Sequence, residues 1–323
     1  MFDHSTILIT GGTGSLGVAL AKTLLPREDI KKVIVFSRDE WKQHQMEHDI
    51  PHEKLRFFIG DVRDLPRLER SLTDVDIVIH AAALKQVPAM EYNPYEAVKT
   101  NVLGTQNLIE AAIDKGVKKV LLVSTDKAVH PVNLYGATKL CAEKLIVAGN
   151  SYAAQKTLFS AVRYGNVLAS RGSVVETVRA RHAGAVKITD PAMTRFWITL
   201  MQAVELVRFA LEKMEGGEIF VPKIPSMRLS DLIAALAPDA KQEVIGIRPG
   251  EKLHEILLTE QESRHAFELA NHYVILPEFV YFAENLYAQY HTQGKPLPVG
   301  FRYTSDTNTE WLTKEKLLQV IRK

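Results

Sequence analysis

Cysteine is nearly absent: Cys141 is the only one in 323 residues. An intrachain disulfide and a cysteine-built metal site are excluded, and a lone thiol suits a reducing cytoplasm. Its expected role is packing on the helix that also carries Tyr135 and Lys139. Charge of one sign is lacking too, since 40 Lys and Arg against 38 Asp and Glu leave a net charge of +2. The basic residues are scattered, so the footprint of a nucleic-acid partner is missing. No apolar run approaches the roughly 20 residues of a membrane span. Met1 to Thr10 reads as a first strand and not as a charged-then-apolar leader. No repeat or low-complexity segment breaks the chain. A globular protein of one large domain or two lobes remains.

What is present is alternation. Apolar strand candidates are Ile7–Thr10, Lys32–Phe36, Leu55–Ile59, Ile77–His80, Val117–Val123 and Leu158–Arg163. Helical stretches lie between them, among them Tyr95 to Lys115, which opens after Pro94 and closes before Gly116. Such spacing predicts an α/β fold, a doubly wound parallel sheet with right-handed crossovers. After Gly165 the pattern shortens into helices Ser173–Ala183, Thr199–Lys213 and Leu229–Ala237, mixed with short strands. The expected division is a Rossmann domain over 1–165 and a smaller, mixed substrate lobe over 166–323, with some segments returning to the first domain. Glu284 to Gly300 is too weakly periodic to place.

The strand Thr6–Thr10 runs into Gly11-Gly12-Thr13-Gly14-Ser15-Leu16-Gly17 and then a helix. Glycines at 11, 14 and 17 allow a tight turn, approach of backbone N–H groups to a pyrophosphate, and close helix–strand packing. The bland alternative is a glycine-rich structural turn. After the second strand come Ser37, Arg38 and, on the following helix, Lys42. A hydroxyl and a guanidinium offered first suit a ribose 2′-phosphate better than a free 2′-OH. NADP is therefore favoured, with NAD left open. Otherwise Arg38 stacks on adenine and selects nothing. Asp61 and Val62 are placed to meet the adenine edge, and Ala81-Ala82-Ala83 is small enough to let a cofactor pass. His80 reads as a satisfied core histidine.

Tyr135 and Lys139 share one helix face at i,i+4, where an ammonium can lower a phenol's pKa. Alone, that spacing describes many helices with a solvated Lys beside a half-buried Tyr. Here it follows a strand and the polar loop Ser124 to Pro131, where catalytic groups of open α/β sheets gather. Tyr135 is then a credible acid/base for an alcohol losing a hydride.

Four motifs together carry a resemblance. They are Gly-x-x-Gly-x-x-Gly from Gly11, Ala-Ala-Ala-Leu-Lys from Ala81, Ser-Thr-Asp-Lys-Ala-Val-x-Pro-x-Asn-x-Tyr-Gly-Ala-Thr-Lys from Ser124, and Arg-Pro-Gly-Glu-Lys from Arg248. The chain resembles the extended short-chain dehydrogenase/reductases, and within them the soluble UDP-N-acetylglucosamine 4,6-dehydratases of the C5-inverting, pseudaminic acid type. The likeness spans about Thr6 to Glu278 and returns at Tyr303 to Asn308. Its most specific part is Thr125-Asp126-Lys127. Sugar-nucleotide 4-epimerases usually have a hydroxyl residue there without the Asp-Lys pair, and retaining dehydratases of the dTDP-glucose type have Thr-Asp-Glu.

The resemblance implies roles. Tyr135 takes the proton of the sugar C4 hydroxyl, Lys139 binds the nicotinamide ribose, and Thr125 bonds the C4 oxygen. Lys127 abstracts the C5 proton acidified by the C4 ketone, and Asp126 protonates the departing C6 hydroxyl. Lys127 must then be neutral and Asp126 protonated, opposite to their ordinary states at neutral pH. Without the resemblance, Asp126 and Lys127 could simply pair across a surface loop. Substrate contacts are implied for Lys85, Asn166, Arg171, Thr189, Arg195, Arg248 and Glu251. Glu176 departs from the family, which commonly has Pro there. The implied partner is UDP-N-acetylglucosamine, with neither nucleic acid nor membrane, in a homo-oligomer. Three other readings stay open: a C5-retaining 4,6-dehydratase, a UDP-sugar 4-epimerase, and a non-catalytic NADP-binding sensor.

Overall fold

The computed structural model describes residues 2–168, 175, 178, 186–279 and 286–322. Strand β1 (Ser5–Thr10) is buried at every position, as expected of a strand covered on both faces. It pairs in parallel with β2 (Ile30–Ser37) on one side and β4 (Ile77–His80) on the other. β3 (Leu55–Ile59) lies outside β2. β5 (Lys119–Val123) and β6 (Leu158–Val162) follow β4. The order β3-β2-β1-β4-β5-β6 reverses direction between β1 and β4. A doubly wound sheet opens its ligand crevice there, at the carboxyl ends of the strands.

The chain after Gly165 extends this sheet. Ile219–Pro222 pairs in parallel with β6, and His272–Ile275, Ala266–Glu268 and Lys295–Pro296 add antiparallel strands beyond it. Lys295–Pro296 and the short helix Ala288–Gln293 both fall in the stretch whose periodicity was too weak to place. Elsewhere the second half forms small sheets, including Asn166–Val167, Thr194–Ile198 and Ser226–Arg228. These carry a separate apolar core around Trp197, Met227, Leu232 and Leu317.

Helices Leu200–Lys213 and Leu229–Leu236 match the expected segments to within a residue or so. Thr199 starts the first through a capping box with Gln202. Of the helix expected over Ser173–Ala183, Val175 and Val178 are described, and both are helical and buried. Arg171 and Glu176 lie outside the described residues.

Two local features depart from expectation. The helix expected over Tyr95–Lys115 comprises Pro94–Val98, a π-turn at Lys99–Leu103 and Gly104–Asp114. The extra residue of such a turn re-aims side chains and often marks a functional site. Here Asn101 is the beneficiary, and periodicity does not reveal it. Cys141 does not pack, either. It is exposed on helix Leu134–Ala153, whose buried face carries Ala142 and Ile146.

Candidate active site

A cavity of about 1050 Å³ opens at the crevice between β1 and β4. At one end Gly11 adopts φ +65, and a Cβ there would sit 2.9 Å from Ala82 Cα. A Cβ at 11 would collide with the Ala81–Ala82 backbone, so only glycine lets this turn lie so close to the end of β4. Helix Ser15–Leu24 begins at Gly14 with no side-chain cap, which leaves its positive end available to a pyrophosphate. Gly11, Thr13, Gly14, Ser15, Leu16, Gly17, Ser37, Arg38, Lys42, Asp61, Val62 and Ala81 to Ala83 all line this end.

Asp39, the first acid after β2, caps the next helix by accepting from Lys42 N at 3.0 Å and pairs with Lys42 Nζ at 2.7 Å. Its carboxylate is committed locally. The Arg38 guanidinium is half exposed and lies 3.8 Å from Asp61. Gln43, which the sequence reading passed over, is buried and donates to Ser37 Oγ and to the carbonyls of Ser37 and Phe58.

The chemical end is built on the turn after β5. Ser124 N and Asp126 N donate to Val162 and Tyr164 carbonyls at 2.7 and 3.0 Å, pinning the turn to β6 and its extension. Helix Leu134–Ala153 then presents Tyr135 and Lys139. Gly136 is required here, because a Cβ would collide with the Lys127 carbonyl. Asn133 caps the helix through Gly136 N at 2.8 Å, and its amide donates to Gly250 O at 2.7 Å. The helix start is thereby fastened to the Arg248–Glu251 loop.

Asp126 is fully buried and does not line the cavity. Its Oδ1 accepts from Thr125 Oγ1 at 2.9 Å and Lys127 Nζ at 3.0 Å, and its Oδ2 has no hydrogen-bond partner among the described residues. Lys127 Nζ also donates to Asn166 Oδ1 at 3.1 Å. A further carboxylate, Glu255, lies 3.6 Å from Lys127, Arg195 and Lys252 alike. The sequence reading missed Glu255. The cue available was a charged residue four past Glu251 on the way into a strand, too weak to single out.

These charges set the protonation states. Burial pushes Asp126 up, and the Glu255 carboxylate adds to it against the pull of Lys127. Burial works against the Lys127 ammonium, but Asp126 and Glu255 outweigh it and hold the amine above its ordinary value. The Asp126 carboxyl is thus pushed up from its ordinary value, whereas Lys127 in this arrangement is an ammonium and not the neutral amine expected. Burial raises Tyr135, and the Lys127 charge and a hydrogen bond with Thr125 oppose it. The cation acting on the phenol is therefore Lys127. Lys139 donates to Val123 O at 2.8 Å, and burial lowers it to about 8.

The other candidates divide by position. Lys85, Asn166 and Glu251 line the cavity. Arg195 and Thr189 lie behind it. The Arg195 guanidinium bonds the carbonyls of Thr194 and Leu253, and Thr189 donates to Met193 Sδ. Arg248 is exposed at the rim, where its N–H donates to Glu251 at 3.3 Å. Thr100 Oγ1, Ser124 Oγ and Trp197 Nε1 are buried in cavity-lining residues with no partner among the described residues. Asn101 grips Leu84 through both N–H and carbonyl, at 2.8 and 2.9 Å, and reaches Thr138 at 3.0 Å. It ties the strip before Lys85 to the catalytic helix. His80 is buried between Thr10 and Thr105.

A family model described as polysaccharide biosynthesis protein matches residues 7–277. The chain belongs to that family. Among its relatives, the UDP-N-acetylglucosamine 4,6-dehydratase (inverting) of Campylobacter jejuni is 48% identical, over 99% of this chain and 98% of its own length. A UDP-glucose 4-epimerase of Rickettsia bellii is 41% identical over 99% and 96%. The X-ray structure of Pen from Bacillus thuringiensis superposes with a TM-score of 0.89 at 39% identity, covering 100% and 98% of the two chains. A dTDP-glucose 4,6-dehydratase, DesIV from Streptomyces venezuelae, shares the fold at 23% identity and TM-score 0.70, over 77% and 86%.

Proposed function

We propose that this chain is a UDP-N-acetylglucosamine 4,6-dehydratase that uses NADP and inverts C5. The observation that carries the reading is the Asp126–Lys127 pair, held at 3.0 Å beside Tyr135 and Thr125. Oxidising and re-reducing C4 alone needs one acid/base. A second acid and a second base next to the first suit elimination across C5 and C6. Bound dinucleotide would supply a hydride acceptor at C4 and a donor at C6.

The chain's own groups would do the rest. Tyr135 takes the C4 hydroxyl proton. Lys127, an ammonium in this arrangement, must lose a proton before it removes the one at C5. Asp126, buried beside the cavity, must be brought to the C6 hydroxyl to protonate it as it leaves. Asn166, bonded to Lys127 Nζ, aims the amine. Lys85, Glu251, Arg248 and Arg195 would engage the sugar nucleotide, with Arg195 acting from behind the cavity wall. The half-exposed Arg38 and the local commitment of Asp39 favour the 2′-phosphate of NADP. A cytoplasmic homo-oligomer serving pseudaminic-type sugar synthesis is consistent with the single cysteine and with Tyr92 and Tyr95, which are 86% and 80% exposed.

The Rickettsia relative keeps a second reading in play, a UDP-sugar 4-epimerase. Incubation with UDP-N-acetylglucosamine followed by mass spectrometry separates the two. Loss of one water supports the dehydratase, and an isomer of unchanged mass overturns it.

A further inference from the structure

The side chain of Asn133 serves two elements at once. Its Oδ1 accepts from Gly136 N at 2.8 Å and caps the helix that carries Tyr135, while its Nδ2 donates to Gly250 O at 2.7 Å. The two partners fix the orientation of the amide, since Gly136 N needs an acceptor and Gly250 O a donor. Capping alone does not ask for asparagine, because Asp, Ser and Thr serve as well or nearly so. Of these four, only Asn carries an acceptor atom and a separate donor atom. The loop is shaped to meet it. Gly250 has φ +79, and a Cβ there would lie 3.1 Å from Asn133 Cβ, so any other residue would be strained and crowded at the contact.

We propose that Asn133 is a positioning residue for the sugar nucleotide: its bond to Gly250 holds Glu251 at a set place relative to Tyr135. The inference rests on the dehydratase reading and deepens it. Glu251 follows Gly250 directly and lines the cavity. Tyr135 lies two residues beyond Asn133 and lines the same cavity. On the other side of Glu251 stands Lys252, whose ammonium donates to Val129 O. The segment from Gly250 to Lys252 is thus hung at both ends on the stretch 129–133 that leads into the catalytic helix. A carboxylate held in this way suits the hydroxyls of the nucleotide ribose, to which it offers only acceptors.

Other bonds carry the helix start itself. Leu134 N donates to Glu91 Oε1 at 2.7 Å, and Gly136 N needs only an oxygen at position 133. Lys139, one turn beyond Tyr135, is held by Val123 O. Bonds inside the loop, from Glu251 N to Arg248 O at 3.1 Å and from Arg248 N to Glu251 Oε2 at 3.3 Å, do not attach it to the helix. Loss of the Asn133 N–H with the cap kept should therefore loosen Glu251 and leave the dinucleotide end in place.

Titration calorimetry with UDP, which has no sugar to be turned over, tests the role. Asn133→Ser keeps an oxygen for Gly136 N, is uncharged, and is too short to serve Gly250 O as well. Asn133→Asp keeps the shape and the cap but has no N–H. Both should weaken UDP binding, Asn133→Ser by about three- to tenfold, the loss of one hydrogen bond, with NADP affinity changed by less than about twofold. In a Glu251→Ala background the Asn133→Ser loss should shrink to less than about twofold, because the bond acts through Glu251. Unchanged UDP affinity in Asn133→Ser overturns the proposal, and so does a loss as large without Glu251 as with it. Equal losses of UDP and NADP overturn it too, since they would mark a helix start come loose. UDP binding by wild type without water loss from UDP-N-acetylglucosamine would sink the dehydratase reading alone and leave the role of Asn133 standing.

Discussion

The carboxylate of Glu255 lies 3.6 Å from the ammonium of Lys127, joining the loop that follows Gly250 to the catalytic turn after β5. Lys127 therefore sits among two carboxylates, and a base so placed gives up its proton late. Removing one negative charge should lower its affinity for the proton. Glu255→Gln is expected to move the acid limb of the kcat/KM profile to lower pH by about one unit. A limb that stays in place would show that Lys127 ionisation does not set it.

Tyr135, Asp126 and Lys127 should fail at different steps. Tyr135→Phe should abolish C4 oxidation with dinucleotide affinity preserved, whereas Lys139→Ala should harm both. Asp126→Asn and Lys127→Ala should oxidise C4 and stall, leaving the near-ultraviolet band of reduced nicotinamide. Solvent deuterium should enter C5 with wild type and not with Lys127→Ala. Exchange at the wild-type rate in Lys127→Ala would remove Lys127 as the base.

Arg38→Ala should weaken NADP binding by about 1.5–3 kcal/mol, the range for hydrogen bonds to charged groups, and leave NAD nearly unchanged. Titration calorimetry with both dinucleotides decides it. Equal losses would mean that the guanidinium only stacks on adenine.

His80 ties the fold to pH. Burial lowers it from 6.5 to about 3, with the Lys139 charge adding to the effect. The unfolded chain thus binds a proton at His80 that the folded chain refuses between those values. Stability from this group is full above about pH 6.5 and is lost as pH falls towards 3, at up to about 1.4 kcal/mol per unit. His80→Gln should flatten melting temperature against pH in this window. An unchanged slope would place the acid sensitivity elsewhere.

Much of this architecture was legible because parallel strands covered on both faces write continuous apolar runs. Ile77–His80, buried throughout, coincides with β4, and Leu55–Ile59 coincides with β3 although that edge strand is only partly buried. The Gly11 turn was equally plain, since its strand and helix flank it directly. Other features depend on partners distant in sequence. Glu255 gains meaning only when folding brings it to Lys127, and Asn101 only when the π-turn aims it at Leu84. Helical spacing placed Lys139 near Tyr135, yet the Lys139 ammonium turns to Val123 O and Lys127 acts on the phenol. Strand Ile219–Pro222 ends in a proline, a residue that argues against a strand paired on both sides, and the run was not singled out.

That short strand carries a consequence for biosynthesis. Its pairing covers the outer edge of β6 with residues made long after it. Until they emerge from the ribosome, the nascent first half holds β6 as a bare template of unpaired amides, ready to recruit another chain. A fragment ending at residue 165 should therefore cluster where the full chain does not, and light scattering of the two would reveal it.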